Sequence, residues 1–255
     1  MTYRKPHLEE WFLAHQMRSL GRKHVHMPGS LECDISPIVE RAAARGEQLS
    51  YPAIVIKALA MAAVKVPEIN RCYLPTLLGD RVVEFDHISV NVPVALREGG
   101  GRHLFGAVIR HADRLSASEI AAELGKAQAT RLDDTRLTKY VARKPNNLLW
   151  RSILRGVHAA SYNPPMWHRL GGGLSVSSLL THRGKPPRAR AVSYGPTALT
   201  VLVCNVRPAQ GGKTILELGL GLDHAALGGL AARLGTDALH DILSSRAPET
   251  LAWFD

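Results

Sequence analysis

The stretch that decides the fold is Leu216-Glu-Leu-Gly-Leu-Gly-Leu-Asp-His-Ala-Ala-Leu-Gly-Gly-Leu-Ala-Ala-Arg-Leu-Gly235. Its first half alternates. Leu216, Leu218, Leu220 and Leu222 share one face of a strand, and Glu217, Gly219, Gly221 and Asp223 share the other. Two glycines on one face weaken a strand, so they imply a ligand or another piece of chain lying close to the backbone. The second half changes period: Leu227, Leu230, Leu234 and Ala238 fall at helical spacing. His224 sits at the joint between strand and helix. An imidazole is the side chain best suited to take a proton near neutral pH, and a lone histidine at such a joint is also an ordinary structural residue.

Outward from the joint, the chain reads as a mixture of helices and strands. Residues 8–20 form a helix with Trp11, Phe12 and Met17 among its apolar positions. Leu31–Ile35 is a strand, followed by a helix with Ser36 as N-cap, Pro37 at its first position and Gly46 as its stop. Residues 52–66 make a nearly all-apolar, buried helix ended by Pro67, with Lys57 and Lys65 at its edges. Residues 82–96 are strand-like with a turn possible in the middle, Gly99–Gly101 is a hairpin signal, and 103–110 is the returning strand. Ser116 and Glu119 form a capping box that opens a helix running to about Asp133. Strands follow at 174–180, 197–206 and 214–222, and the last helix runs to about Ser244. Short glycine turns between strands imply an antiparallel or mixed sheet with helices on one face. The expected class is α+β, in one domain over residues 1–255 with an inserted amphipathic helical segment at about 145–168, which carries Trp150, Arg151, Arg155 and Trp167.

Composition narrows the function classes. No apolar run reaches 18 residues, so no membrane-spanning helix is expected, and the acids near the N-terminus argue for a cytoplasmic protein without a signal peptide. Cys33, Cys72 and Cys204 show no metal spacing and no disulfide framework, so they read as plain thiols and no metal is expected. The net charge of +10 suits acidic partners. Its densest patch, residues 181–190, lacks interleaved aromatics, and no recognition motif supports nucleic-acid binding. No phosphate-binding glycine loop is present.

A second stretch bears on His224. In Gly171-Gly-Gly-Leu-Ser-Val-Ser-Ser-Leu179, Ser175 and Ser177 face one way and Leu174, Val176 and Ser178 the other. A strand hydroxyl can donate a hydrogen bond to a developing oxyanion. No Gly-x-Ser-x-Gly elbow marks a nucleophile.

Taken in order, Val25–Ser36, Tyr51–Arg71, Ile88–Ile120, Gly171–Leu179 and Leu220–Gly229 resemble the catalytic domain of the 2-oxoacid dehydrogenase E2 acyltransferases, whose fold is shared with chloramphenicol acetyltransferase. The resemblance covers about residues 10–245. It implies a mixed central sheet with helices packed on one face, and a trimer with its sites between subunits. It also implies that His224 is the general base and Ser177 the oxyanion donor. The acyl group would move between a thioester (acyl-coenzyme A, an acyl-lipoyl group or an acyl carrier protein) and a thiol or small acceptor. Coenzyme A would be a substrate, and any lipoyl group would sit on a separate protein, since the chain has no lipoyl or subunit-binding domain of its own. The family pattern places an aspartate four residues after the histidine and an arginine directly after it; this chain has Gly228 and Ala225. That departure leaves a second reading open, in which a catalytically silent homologue acts as a trimeric scaffold or acyl-carrier-binding protein.

Overall fold

A computed structural model describes residues 4–76, 79–98, 101–135, 137–161, 171–180, 191–193, 195 and 197–255. Eight strands are described: β1 (His26–Asp34), β2 (Arg71–Thr76), β3 (Gly79–Glu84), β4 (Val90–Glu98), β5 (Gly101–Ile109), β6 (Leu174–Ser178), β7 (Leu199–Pro208) and β8 (Thr214–Asp223). Six of them form one mixed sheet in the order β1-β8-β7-β6-β4-β5. β6 runs parallel to both β4 and β7, and the other pairings in that sheet are antiparallel. β2 and β3 pair with each other alone.

The alternation in β8 is realised. Leu216, Leu218 and Leu220 face the main core beside Val201, Val203, Leu174, Val176, Val90 and Val92. Three helices cover that face: α3 (Tyr51–Lys65), α4 (Ala117–Ala129) and α7 (Gly229–Leu243). The expected α+β fold with helices on one face of a mixed sheet is the observed one. α3 is buried along most of its length, as its composition requires. Its neighbours are α1 (Leu8–Lys23) and α2 (Ser36–Ala44) earlier in the chain, and α5 (Thr138–Arg143) and α6 (Leu148–Ser161) later. The predicted capping box closes on α4, where Ser116 accepts from Glu119 N and Ser116 N donates to the Glu119 side chain. Gly46 takes the left-handed conformation that stops α2, with φ of 68°.

Several expectations are corrected. Ser36 lies inside α2, whose N-cap is Ile35; its hydroxyl donates to Asp34 Oδ1 at 2.5 Å and accepts from Thr214 N at 2.8 Å, which ties the helix start to β8. Lys57 is not at an edge of its helix. It is 5% exposed, and its ammonium donates to the Asp113 carbonyl at 2.7 Å. α4 ends at Ala129, and Leu132–Asp134 is a separate 3-10 turn. The last helix does not begin at His224. It begins at Gly229 after a turn, and it buries Ala232, Gly235, Leu239, Ile242 and Leu243 while Leu230 and Leu234 point outward. The basic patch at 181–190 and Trp167 lie outside the described residues.

The second face of the sheet answers the question of the glycines. A Cβ added at Gly219 would lie inside contact distance of the Ala191 backbone carbonyl, so the chain's own backbone at Ala191 and Val192 is what approaches β8. The same carbonyl accepts from the Cys204 thiol at 3.3 Å, at the register shift in β7. Gly219→Ala should therefore destabilise the fold by about 1–3 kcal/mol. Gly125→Ala, on exposed α4 with no atom within 4 Å of the added Cβ, should stabilise it by about 0.5–1 kcal/mol. Thermal unfolding of the two variants against wild type measures both signs.

Candidate active site

The site begins with a buried pair that joins distant parts of the chain. His24 follows α1 directly, and Asp223 ends β8. His24 Nδ1 lies 2.7 Å from Asp223 Oδ2, and both side chains are fully excluded from solvent. The other carboxylate oxygen of Asp223 accepts from Ala225 N at 3.1 Å, which folds the chain into a tight turn. Asp223 is thus not the helix N-cap that its position suggests; that role falls to Gly228.

His224 is the first residue of this turn. Its backbone N–H donates to the Val25 carbonyl at 2.7 Å, between His24 and His26. Its side chain is exposed. His26 is held as well, with Nε2 2.9 Å from the Gly195 carbonyl. Around the turn the backbone groups of His224 and Ala225 are engaged, and the His224 imidazole makes no hydrogen bond to another described side chain.

The strand β6 separates its two candidate hydroxyls. Ser175 Oγ donates to the Asn91 carbonyl at 3.2 Å. Ser177, on the same face, is half-buried, and its hydroxyl has no hydrogen-bond partner among the described residues. Of the two, Ser177 keeps a proton to donate.

His224 and Ser177 do not meet within one chain. Ser177 pairs with Leu202, Leu202 pairs with Gly219, and His224 lies five positions beyond Gly219. Strand rise and strand spacing put the two roughly 19 Å apart. Each residue is held in place by the backbone around it.

The thiols take no part. Burial pushes Cys33 and Cys72 each up to about 12, and the charge of Asp223 adds to the effect at Cys72, so neither is a thiolate at neutral pH. All three cysteines are free and buried. Among the described residues no group of three or more His, Cys, Asp and Glu side chains could hold a metal ion, and no helix is long and apolar enough to cross a membrane. Sequence reading missed His24, which stands 199 residues from its partner, a separation that leaves no local signal.

His24→Leu would strand the Asp223 carboxylate in the interior. It should cost about 3 kcal/mol. Adding Asp223→Asn should recover part of that loss, so a double-mutant cycle in thermal or urea unfolding should give a clear coupling between the two.

The model of the 2-oxoacid dehydrogenases acyltransferase (catalytic domain) family matches residues 14–140. No curated protein matches the chain. Among solved structures, the truncated catalytic core of the 2-oxoacid dehydrogenase multienzyme complex from Thermoplasma acidophilum has 17% identity and a TM-score of 0.66, with 96% of this chain and 99% of that one covered. The dihydrolipoamide acetyltransferase of Azotobacter vinelandii has 19% identity and a TM-score of 0.63, with 96% and 92% covered. That enzyme was studied for the roles of a serine, a histidine and, four residues on, an asparagine in its catalytic mechanism. Chloramphenicol acetyltransferase has 14% identity and a TM-score of 0.53, with 96% and 100% covered.

Proposed function

Since residues 14–140 match the model of the 2-oxoacid dehydrogenases acyltransferase (catalytic domain) family, we propose that this chain moves an acyl group between a thioester and a thiol, with His224 as general base and Ser177 as oxyanion donor. The observation that carries this reading is the unspent imidazole of His224, exposed on a turn whose backbone is fixed by Asp223 and by the Val25 carbonyl. An imidazole nitrogen of His224 takes the proton of the acceptor thiol. The sulfur attacks the thioester carbonyl carbon, and the carbonyl electrons move onto oxygen. Ser177 Oγ–H donates to that oxyanion. Collapse of the tetrahedral centre breaks the bond to the donor sulfur, which leaves with the proton returned by His224. A placed base contributes about 10²–10⁴ in rate, and one oxyanion donor about 10²–10³.

The separation of the two residues makes the working unit an oligomer. We take it to be a closed trimer in which His224 of one copy faces Ser177 of the next, the arrangement a head-to-tail ring produces. The net charge of +10 favours coenzyme A phosphates or an acidic carrier bearing a lipoyl or other thiol group.

A panel of acyl-coenzyme A donors with dihydrolipoamide and free carrier thiols tests the activity. His224→Ala should lose at least about 10²-fold in kcat, and Ser177→Ala about 10²-fold. Co-expressing the two inactive variants should restore about a quarter of wild-type activity, because a head-to-tail ring then assembles some intact sites. A site within one chain would restore none.

The second reading, a silent scaffold, is favoured by one feature. The residue four after His224 is Gly228, where the Azotobacter vinelandii enzyme has its asparagine. Gly228 is the N-cap of α7 at φ −70° and ψ 156°, and an added Cβ meets nothing within 4 Å. That position rewards asparagine for capping alone. Gly228→Asn should stabilise the fold by a few tenths of a kcal/mol and raise kcat by at most about 10²-fold without changing KM. A wild type and a Gly228→Asn variant that both fail to turn over any donor would favour the scaffold.

A further inference from the structure

α1, α5 and α6 form a second apolar cluster, distinct from the main core, around Leu8, Phe12, Val141 and Leu154. It is moored to the edge strand β5: Glu9 accepts from Leu104 N at 3.1 Å and lies 2.9 Å from His103 Nδ1, and the Thr138 hydroxyl donates to the Leu104 carbonyl at 3.3 Å. β5 is the strand at the far edge of the sheet from β1 and β8, so within one chain this cluster stands away from His224.

The cluster is not closed. A cavity of about 220 Å³ opens between the three helices, walled by Leu8, Leu137, Tyr140, Trp150, Ile153 and Val157 among others. Its lining presents apolar atoms only. It is half as large again as the roughly 150 Å³ apolar cavity that takes benzene, so it has room for roughly nine carbon atoms. Leu137, Tyr140, Ile153 and Val157 keep much of their apolar surface in solvent.

Cations stand at the aromatic walls. Lys144 Nζ lies 5.2 Å from the Trp150 ring centroid, and Lys139 Nζ lies 5.5 Å from that of Tyr140. Neither ammonium is in an ion pair with a described carboxylate; Lys139 reaches only the Asp133 carbonyl, at 3.1 Å. An apolar slot with ammonium groups stacked on two of its aromatic walls fits a ligand with the opposite arrangement: a saturated chain ending in an anionic head. Six of the eight lining residues lie outside the segment matched by the family model, so membership of the family foretells neither the slot nor its ligand.

We infer that the cavity between α1, α5 and α6 is a binding site for a straight-chain fatty carboxylate of medium length, with its chain against Trp150, Ile153 and Val157 and its carboxylate between Lys139 and Lys144. Within one chain the site stands away from His224, and the inference does not rest on the proposed acyl transfer.

The test uses the full chain and decanoate as probe, below the concentration at which decanoate forms micelles. Isothermal titration and tryptophan fluorescence should show saturable binding, and ligand should raise the unfolding temperature. Ile153→Trp, which fills the slot, should abolish binding. Lys139→Glu with Lys144→Glu should weaken it at least about 10-fold, and decanol should bind more weakly than decanoate. Circular dichroism and unfolding temperature establish that the variants fold. Absence of saturable decanoate binding by folded wild type overturns the inference, as does unchanged binding by folded Ile153→Trp. Two further results overturn it in favour of other occupants. One is binding to phosphatidylglycerol vesicles that survives Ile153→Trp, which would make the exposed α6 face a membrane contact. The other is dissociation of the oligomer by Ile153→Trp without decanoate binding, which would make it a contact between copies.

Discussion

The buried contact between His24 and Asp223 holds together the part of the structure on which the proposed chemistry depends. It fastens the end of α1 to the end of β8 and leaves the second carboxylate oxygen free to shape the turn that follows. Two polar side chains excluded from water are tolerable only when they satisfy each other, so the pair specifies one arrangement and excludes near alternatives. His224 inherits that definition through its neighbours. Its backbone is committed while its ring makes no hydrogen bond to another described side chain, which is the division the proposed general base requires: fixed position and free function.

The sheet supplies the complementary half in the same manner. β6 sits between two parallel partners, so its register is fixed from both sides, and Ser175 uses its hydroxyl on the strand β4. Ser177 is presented by the same rigid strand, and its hydroxyl has no hydrogen-bond partner among the described residues. The sheet cannot bring Ser177 to His224, because the strands that fix each of them also fix their separation. A site made from both therefore needs a second copy of the chain.

Much of the framework was legible because it is written in local chemistry. The apolar run of α3, the capping box at Ser116 and Glu119, the stop at Gly46 and the alternation of β8 each follow from neighbouring residues. What was misread depends on distant partners. The helical stripe at Leu230 and Leu234 is the outward one, because small residues, Ala232 and Gly235, let α7 lie close to Ile69 and the core. Lys57 looked like an edge residue, and its burial is made tolerable by the Asp113 carbonyl and by the nearby charges of Asp113 and Glu119. The turn expected inside residues 82–96 is present between β3 and β4, but only the distant partner strands decide that β3 closes a ribbon with β2 while β4 enters the main sheet. The site followed the same division. His224 and Ser177 stand out from their strands as candidates, His24 does not, and Gly228 reads as a lost carboxylate where the structure has a helix cap.

Helix α1 has sixteen residues, about 24 Å of rod, a length of the same order as the width of a six-stranded sheet. Its first turn is clamped to β5 through Glu9, and its last residue leads straight into His24. A rod held at both ends has little freedom to tilt at one without moving the other. The flank of the molecule that carries the apolar slot and the turn that carries the imidazole are thus mechanically in series, and α1 is the lever between them.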